Sequence, residues 1–419
     1  MLIRTPGILL TTLIAGAALC GCASPEPLDV GPALPAEPII RVRIASSVEQ
    51  VQLAGPPLLL AVRSGEAAPT VKLTPPITLR FDGSRWHTGG SPAPALGDGA
   101  IDIKPAGDAP TLAYADRRYP GTLRLWPLPR RVDADRVALD VIDLVHLEAY
   151  LPGVLAKELY DDWQLTTYYA QAIAARSYAI HRLMNRSSTS AYDVEATQLS
   201  QAYIGATDNP KATRAVLETT GLVLTWNNQV MPALYHSTCG GTGASPTDAF
   251  GNPDPWQPLV PVAHPPWCER SKHYRWGPIR RDRHMLGRRI AAWGEQRGHA
   301  IAELGSIMTL VISQRNALGR PARFTLSDDR GKRYTLSAEA FRAACNFPAP
   351  QAPSRGDRLK SAHVDVRLDV TDVVFRDGRG FGHGVGMCQF GAEGQARAGR
   401  DVRQILQTYY PGATLERVY

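Results

Sequence analysis

The chain is predicted to be α+β, on three observations. Helical and strand-like segments are interspersed without a regular strand–helix–strand alternation. Short runs such as Ile40-Arg41-Val42-Arg43-Ile44, Val71-Lys72-Leu73 and Ile101-Asp102-Ile103 alternate apolar and polar residues, the period of a half-buried strand. One long stretch, Thr166 to Met184, keeps a helical period throughout. At 419 residues the chain is long enough for a large core and two structural units. A hydrophobic content of 44% with 7% aromatics belongs to a folded protein rather than a disordered one.

The N-terminus reads as a targeting segment. Arg4 precedes an apolar run from Gly7 to Leu19, too short for a permanent span, which leads into Leu19-Cys20-Gly21-Cys22. An apolar residue, a small pair and then Cys resembles a bacterial lipobox, so residues 1–22 are expected to be a lipoprotein signal with Cys22 lipidated. A plain cleaved signal peptide is the alternative. Lipid would hold the mature chain at a membrane surface, here expected to be the periplasmic face of an outer membrane. Residues 23–38, rich in Pro and small residues, read as a flexible tether.

Residues 39–112 are expected to form a small β-rich unit punctuated by Gly55-Pro56-Pro57 and Gly89-Gly90-Ser91-Pro92. Residues 113–419 form the second unit. It opens on a hairpin of Thr122–Trp126 with Val137–Ile142, then runs into the region of Glu158. After the long helix, Asn209-Pro210 opens another helix, closed by Gly221. Leu222–Trp226 and Met231–His236 read as a second hairpin around Asn227-Asn228. A helix and a strand-rich insert follow between 281 and 348, then strands at Val364–Leu368 and Val373–Arg376 and a last helix at Asp401–Tyr409.

The net charge of +7 is spread along the chain, and no Lys/Arg run is interleaved with aromatics, so nucleic acid is not an expected partner. Attraction to an anionic cell envelope fits the same charge.

Two blocks carry the chemistry. The first is Leu147-Glu148-Ala149-Tyr150-Leu151-Pro152-Gly153-Val154-Leu155-Ala156-Lys157-Glu158, an apolar approach ending in a carboxylate, with Trp163 and Ala170-Gln171-Ala172-Ile173-Ala174-Ala175-Arg176-Ser177-Tyr178 behind it. The second is Gly380-Phe381-Gly382-His383-Gly384-Val385-Gly386-Met387-Cys388-Gln389-Phe390-Gly391-Ala392. Its glycine density predicts a tight path with positive φ angles around His383. It is no phosphate loop, since Lys-Ser/Thr does not follow.

Together these blocks resemble the stage II sporulation protein D (SpoIID/LytB) family, from about Tyr114 to the end. The resemblance implies a catalytic domain with a central cleft and a peptidoglycan lytic transglycosylase, in which Glu158 matches the catalytic glutamate. Where the family usually has Glu-Met-Pro before Trp, this chain has Glu158-Leu159-Tyr160 before Trp163. A carboxylic acid in apolar surroundings holds a proton near neutral pH and delivers it to a departing glycosidic oxygen. Once deprotonated, it takes the proton of the sugar's own C6 hydroxyl, leaving a 1,6-anhydromuramoyl end. One Glu suffices, whereas a hydrolase needs a second carboxylate. The substrate is expected to be glycan strands stripped of stem peptides, cut between MurNAc and GlcNAc. The alternative is a non-catalytic strand-binding enhancer of a cell-wall amidase, which would be a partner.

Gln171, Arg176, Ser177, Gln201, His236 and His383 are the candidate substrate-binding residues. Arg176 and Ser177 follow the family's Ala-Arg-Ser/Thr-Tyr pattern, and Arg176 is read as paired inside the cleft, with Glu158 or a saccharide, or else structurally. His236 lies in Tyr235-His236-Ser237-Thr238-Cys239-Gly240-Gly241. Asp161 and Asp162 either raise the Glu158 pKa by like charge, or cap the following helix or face solvent. In some members the stretch equivalent to Tyr192–Gln201 binds zinc; here Glu195, Leu199 and Ser200 stand in those places, so no zinc is expected there. No cofactor and no metal are expected. Of the mature cysteines Cys239, Cys268, Cys345 and Cys388, the first two are expected to form a disulfide in an oxidising compartment, with a metal site as the alternative.

Overall fold

The structure, a computed structural model, describes Leu34 and residues 36–419 apart from 56–58, 64–70, 107–110, 130–136, 198–199 and 254. Cys22, the signal segment and Leu199 lie outside the described residues. No described helix is long and apolar enough to cross a membrane.

The expected mix of helices and strands is present: helices sit among several sheets, with no βαβ repeat among the described residues. The largest sheet has seven strands. From one edge they are Val194–Glu195, Ile39–Val48, Leu139–His146, Thr122–Pro127, Ile101–Pro105, Leu59–Arg63 and Val71–Leu73. Its inward face is aliphatic and fully enclosed, with Ile40, Val42, Ile101, Ile103, Leu123, Leu125, Leu139 and Val141 contributing. The first expected hairpin forms, but its second strand is Leu139–His146 rather than Val137–Ile142, with Leu123 opposite Asp143 and Leu125 opposite Val141.

The division expected at 112/113 is not a break in this architecture. Ile39–Val48 pairs with Leu139–His146 from across that boundary, and one core contains residues from both sides. A central strand cannot leave its ladder without exposing unpaired main-chain groups, so the N-terminal strands and the hairpin form one layer. The last residues of the expected tether also belong to the body. Leu34 N–H donates to the Val418 carbonyl at 2.7 Å and Leu147 N–H to the Pro38 carbonyl at 3.0 Å.

The second expected hairpin is corrected. Asn227 and Asn228 do turn, with φ of 48° and 57°, but the return onto Leu222–Trp226 stops at Met231, whose N–H donates to the Leu224 carbonyl at 3.0 Å. Pro232 has no N–H to give a ladder, and the chain leaves the sheet in tight turns there. The C-terminal strand Thr414–Arg417 pairs along the other edge of Leu222–Trp226. Tyr235–His236 is then free to pair, in parallel, with Met387–Cys388. That small ladder ties the Tyr235–Gly241 segment to the glycine block.

Residues 279–375 build a separate core around the helix Arg283–Gln296 and the strands Ile307–Arg315, Pro321–Asp328 and Arg333–Ser337. A third core gathers Ile173, Leu224, Met231, Cys239, Cys268, Val385, Met387, Cys388 and Tyr409.

Candidate active site

Glu158 ends the helix Leu147–Glu158. The helix forms despite Pro152 in its interior, because its buried face (Leu147, Tyr150, Leu151, Val154, Leu155) is locked into the main core. Each such aliphatic side chain contributes roughly 1.5–3 kcal/mol, which offsets the hydrogen bond Pro152 withholds. The first turn lacks a side-chain cap from His146; Glu37 supplies one instead, its carboxylate accepting from Glu148 N–H at 2.7 Å. At Gly153 a Cβ would meet the Gly205 carbonyl at 2.1 Å and the Tyr203 ring at 2.7 Å. Only glycine lets the 201–205 segment come this close, and that approach brings Ala202 to the carboxyl.

Two donors hold the acid. Ala202 N–H reaches Oε1 at 3.2 Å, and the Gln389 side-chain amide reaches Oε2 at 3.0 Å. Burial pushes the carboxyl above its ordinary range, while the hydrogen bonds from Gln389 and Ala202 and the charge of Lys157 pull the other way. The net shift is upward, as a proton donor at neutral pH requires. Desolvation is the cause, not the neighbouring aspartates. Asp161 and Asp162 are exposed; Asp161 accepts from Asn209 Nδ2 at 2.7 Å and Asp162 pairs with Arg397 at 3.5 Å.

Beside the acid lies an aromatic group. Trp163 is edge-on to Phe390 at 4.9 Å between centroids, and Tyr160 packs on both at 5.3 and 5.8 Å. Trp163 is buried whereas Tyr160 is 51% exposed, so Tyr160 offers a ring to solvent two residues from the carboxyl. Glu393 fastens this corner, accepting from Gln164 N–H at 2.9 Å and from the Thr167 hydroxyl at 2.7 Å.

Most of the polar residues singled out from the sequence turn inward. Arg176 is fully buried and grips Glu148, not Glu158, with Nε and Nη2 at 2.8 and 2.7 Å from the two carboxylate oxygens. It also donates to the carbonyls of Leu222 and Val216, leaving little for a saccharide. Ser177 donates to the Ile173 carbonyl and accepts from Leu224 N–H, at 2.7 and 2.8 Å. Gln201 is fully buried between Tyr150, Tyr235 and the Ala175 carbonyl. These three are framework, because their hydrogen-bonding groups are consumed within the protein. Gln171 is likewise fully buried, but neither its amide oxygen nor its nitrogen has a partner.

The histidines are also internal. His236 is buried, with Nδ1 at 3.1 Å from the Val385 carbonyl. His383 is half-buried; its Nδ1 accepts from Val385 N–H at 3.0 Å, and its ring lies 5.5 Å from that of His236. Burial holds His383 well below its ordinary range, so it is a neutral fixture of the loop. The glycine block follows its expected path: Gly380, Gly382, Gly384 and Gly386 have φ of 76°, 102°, 87° and 66°. At Gly386 a Cβ would also sit 1.9 Å from the Leu234 carbonyl, excluding any other residue. In the stretch expected to lack zinc, Glu195 is engaged with Arg43.

The expected disulfide is not formed. Cys239, Cys268, Cys345 and Cys388 are free and buried, with Cys239 Sγ 3.5 Å from Cys268 Sγ. Sequence reading missed Gln389, whose only signal was its place inside the glycine block, and Tyr160, seen only as a departure from a motif. It also missed Arg320, fully buried just before the strand Pro321–Asp328 of the insert. Arg320 donates to the carbonyls of Cys239 and Thr242 at 3.0 Å each and of His383 at 3.2 Å, joining the two loops.

Residues 135–226 match the family model described as SpoIID, stage II sporulation protein. An uncharacterized protein of Brachyspira hyodysenteriae is 28% identical over 285 residues, covering 66% of this chain and 68% of its own. Stage II sporulation protein D of Bacillus subtilis is 26% identical over 315 residues, covering 68% of this chain and 79% of its own. The amidase enhancer of Bacillus subtilis is 25% identical over 295 residues, 63% of this chain but 40% of that protein.

Proposed function

Because the chain belongs to the SpoIID family, we propose that it is a cell-wall lytic transglycosylase with Glu158 as both acid and base. The observation that carries this reading is the Glu158 carboxyl itself, desolvated into an elevated pKa yet fixed at both oxygens by Ala202 and Gln389. Desolvation keeps the proton available for the departing glycosidic oxygen. The two donors aim the carboxyl and stabilise the carboxylate left behind. That carboxylate then accepts the C6 hydroxyl proton as the oxygen closes on C1, which gives the anhydro end and restores the acid. The pairing of Asp161 and Asp162 with other residues fits a one-carboxyl mechanism. Tyr160, with Trp163 and Phe390 behind it, offers a face for a sugar ring. A lipid on Cys22 would hold the enzyme at the envelope, beside its substrate.

Support for a second reading comes from the relative named amidase enhancer: the same surface would bind strands and present them to an amidase. Incubating purified protein with intact and with peptide-stripped glycan strands separates the two. Anhydromuramoyl products from stripped strands support the enzyme. Strand binding without cleavage, together with stimulation of an added amidase, supports the enhancer.

A further inference from the structure

Behind the ladder of Tyr235–His236 with Met387–Cys388, three cysteines from three distant segments converge. Successive strand residues face opposite sides. Tyr235 accordingly turns to Gln201 on the acid's side, and His236 turns away from it, toward sulfur. Donor atoms of His236, Cys239 and Cys388 lie within 4.8 Å of one another. Cys268 Sγ stands 3.5 Å from Cys239 Sγ. We propose that Cys239, Cys268, Cys388 and Nε2 of His236 form a structural zinc site, in place of the disulfide and the absence of metal expected from sequence.

Four independent features carry this. The first is spacing. Zinc–sulfur bonds of about 2.3 Å put the sulfurs of a tetrahedral site about 3.8 Å apart, close to the separation here and far from the roughly 2.05 Å of a disulfide. The second is the histidine. His236 directs Nδ1 at the Val385 carbonyl, which leaves Nε2 as the bare acceptor, and that atom is buried without a partner. A ring nitrogen tied to a carbonyl with the other aimed at a metal is the usual arrangement of a ligating histidine. The third is the main chain. Gly241 N–H donates to Cys239 Sγ, and Cys239 N–H and Gly391 N–H donate to Cys388 Sγ, each at 3.3 Å. Amides directed at sulfur stabilise thiolate, the ligating form. Cys388 also caps the helix Gln389–Arg397, whose N-terminal end favours negative charge.

The fourth feature is charge. Three thiolates and a neutral imidazole on zinc leave one negative charge. The Arg320 guanidinium is fully buried beside them, its hydrogen bonds all to main-chain carbonyls, that of Cys239 included. A buried cation wants an anion nearby, and the zinc–thiolate group supplies one. A cavity of ≈ 10 Å³ bordered by His236, Cys239 and Cys388 is the size of a single small occupant. His264 Nε2, 3.1 Å from Cys239 Sγ and bordering the same cavity, supports that sulfur. Zinc is favoured over a hard cation by the sulfur-rich donor set. The site would staple the loops 236–241, 264–268 and 383–388 immediately before Gln389, and so fix the donor that aims Glu158.

The test is elemental analysis of the full chain purified without chelator, with cobalt(II) substitution of the same protein. One zinc per chain is expected, and cobalt should give the intense visible and near-ultraviolet bands of tetrahedral thiolate coordination. Cys388→Ser should release zinc to a chromophoric chelator at least a hundredfold more readily. Cys345→Ser, in the separate core of residues 279–375, should leave zinc content unchanged. The cobalt spectrum needs no variant, so misfolding of Cys388→Ser does not blunt the test. Metal-free protein in which mass spectrometry finds Cys239 bonded to Cys268 would overturn the proposal, as would zinc held equally well by Cys388→Ser.

Discussion

Gln389 donates to Oε2 of Glu158 at 3.0 Å across 231 positions of sequence, and this bond ties the glycine block to the acid. It stabilises the ionised carboxyl and so tempers the upward shift caused by burial. Glu158 acts as an acid only while protonated, so kcat/KM should fall as pH rises through its elevated pKa. Gln389→Ala removes a lowering influence. The descending limb should move to higher pH and the rate should drop about tenfold, the worth of one good hydrogen bond. A pH–rate profile of both proteins checks this; a reduced rate with an unmoved limb would mean that Gln389 acts only on the fold.

Tyr160 should bind rather than react. Its ring is half exposed and backed by Trp163 and Phe390. Tyr160→Ala should raise KM for glycan strands about tenfold, the scale of one lost aromatic contact of roughly 1.4 kcal/mol, with kcat within a few-fold. Steady-state kinetics on strands of defined length separate the two parameters.

Arg176 should matter for stability and not for substrate. Replacing it with Leu strands Glu148 without its bidentate partner, and breaking a buried pair from one side costs about 3–5 kcal/mol. Urea unfolding of Arg176→Leu should show that loss. A stable variant with a raised KM would instead return Arg176 to the substrate.

Asp143 gives a pH dependence of opposite use. The residue is fully buried on Leu139–His146, accepts from the Tyr203 hydroxyl at 2.9 Å and is pushed by burial up to about 7 from 3.8. A carboxyl whose folded pKa is raised binds its proton more tightly when folded. It therefore costs nothing below about 3.8, destabilises progressively between about 3.8 and 7, and reaches a plateau of roughly 4 kcal/mol above that. Asp143→Asn keeps an acceptor for Tyr203 and removes the ionisation. It should match the parent near pH 4 and exceed it by a few kcal/mol at pH 8, read from thermal or urea unfolding at the two pH values.

The apolar approach to a single carboxylate before Trp163 is legible because its signal is local, while the role given to Glu158 rests on the family resemblance. The long helix, the first hairpin and the positive-φ glycines were equally local. Residues whose meaning depends on distant partners were misjudged. Arg176, Ser177 and Gln201 look like site residues on an apolar background, but their partners Glu148, Leu224 and Tyr150 are supplied by packing that no spacing announces. Likewise the cysteines were countable, yet the parallel pairing that sets Cys388 beside His236 follows from Pro232 breaking the second hairpin. The 112/113 boundary failed for the same reason, since Ile39–Val48 finds its partner about a hundred residues on.

The most direct measurement is mass spectrometry of the products formed from peptide-stripped glycan strands in heavy-oxygen water, with the parent protein and with Glu158→Gln. Glu158 as acid and base predicts 1,6-anhydromuramoyl ends that carry no heavy oxygen, at a rate lowered at least a hundredfold in the variant. Reducing ends that incorporate heavy oxygen, or cleavage that survives Glu158→Gln, would contradict it.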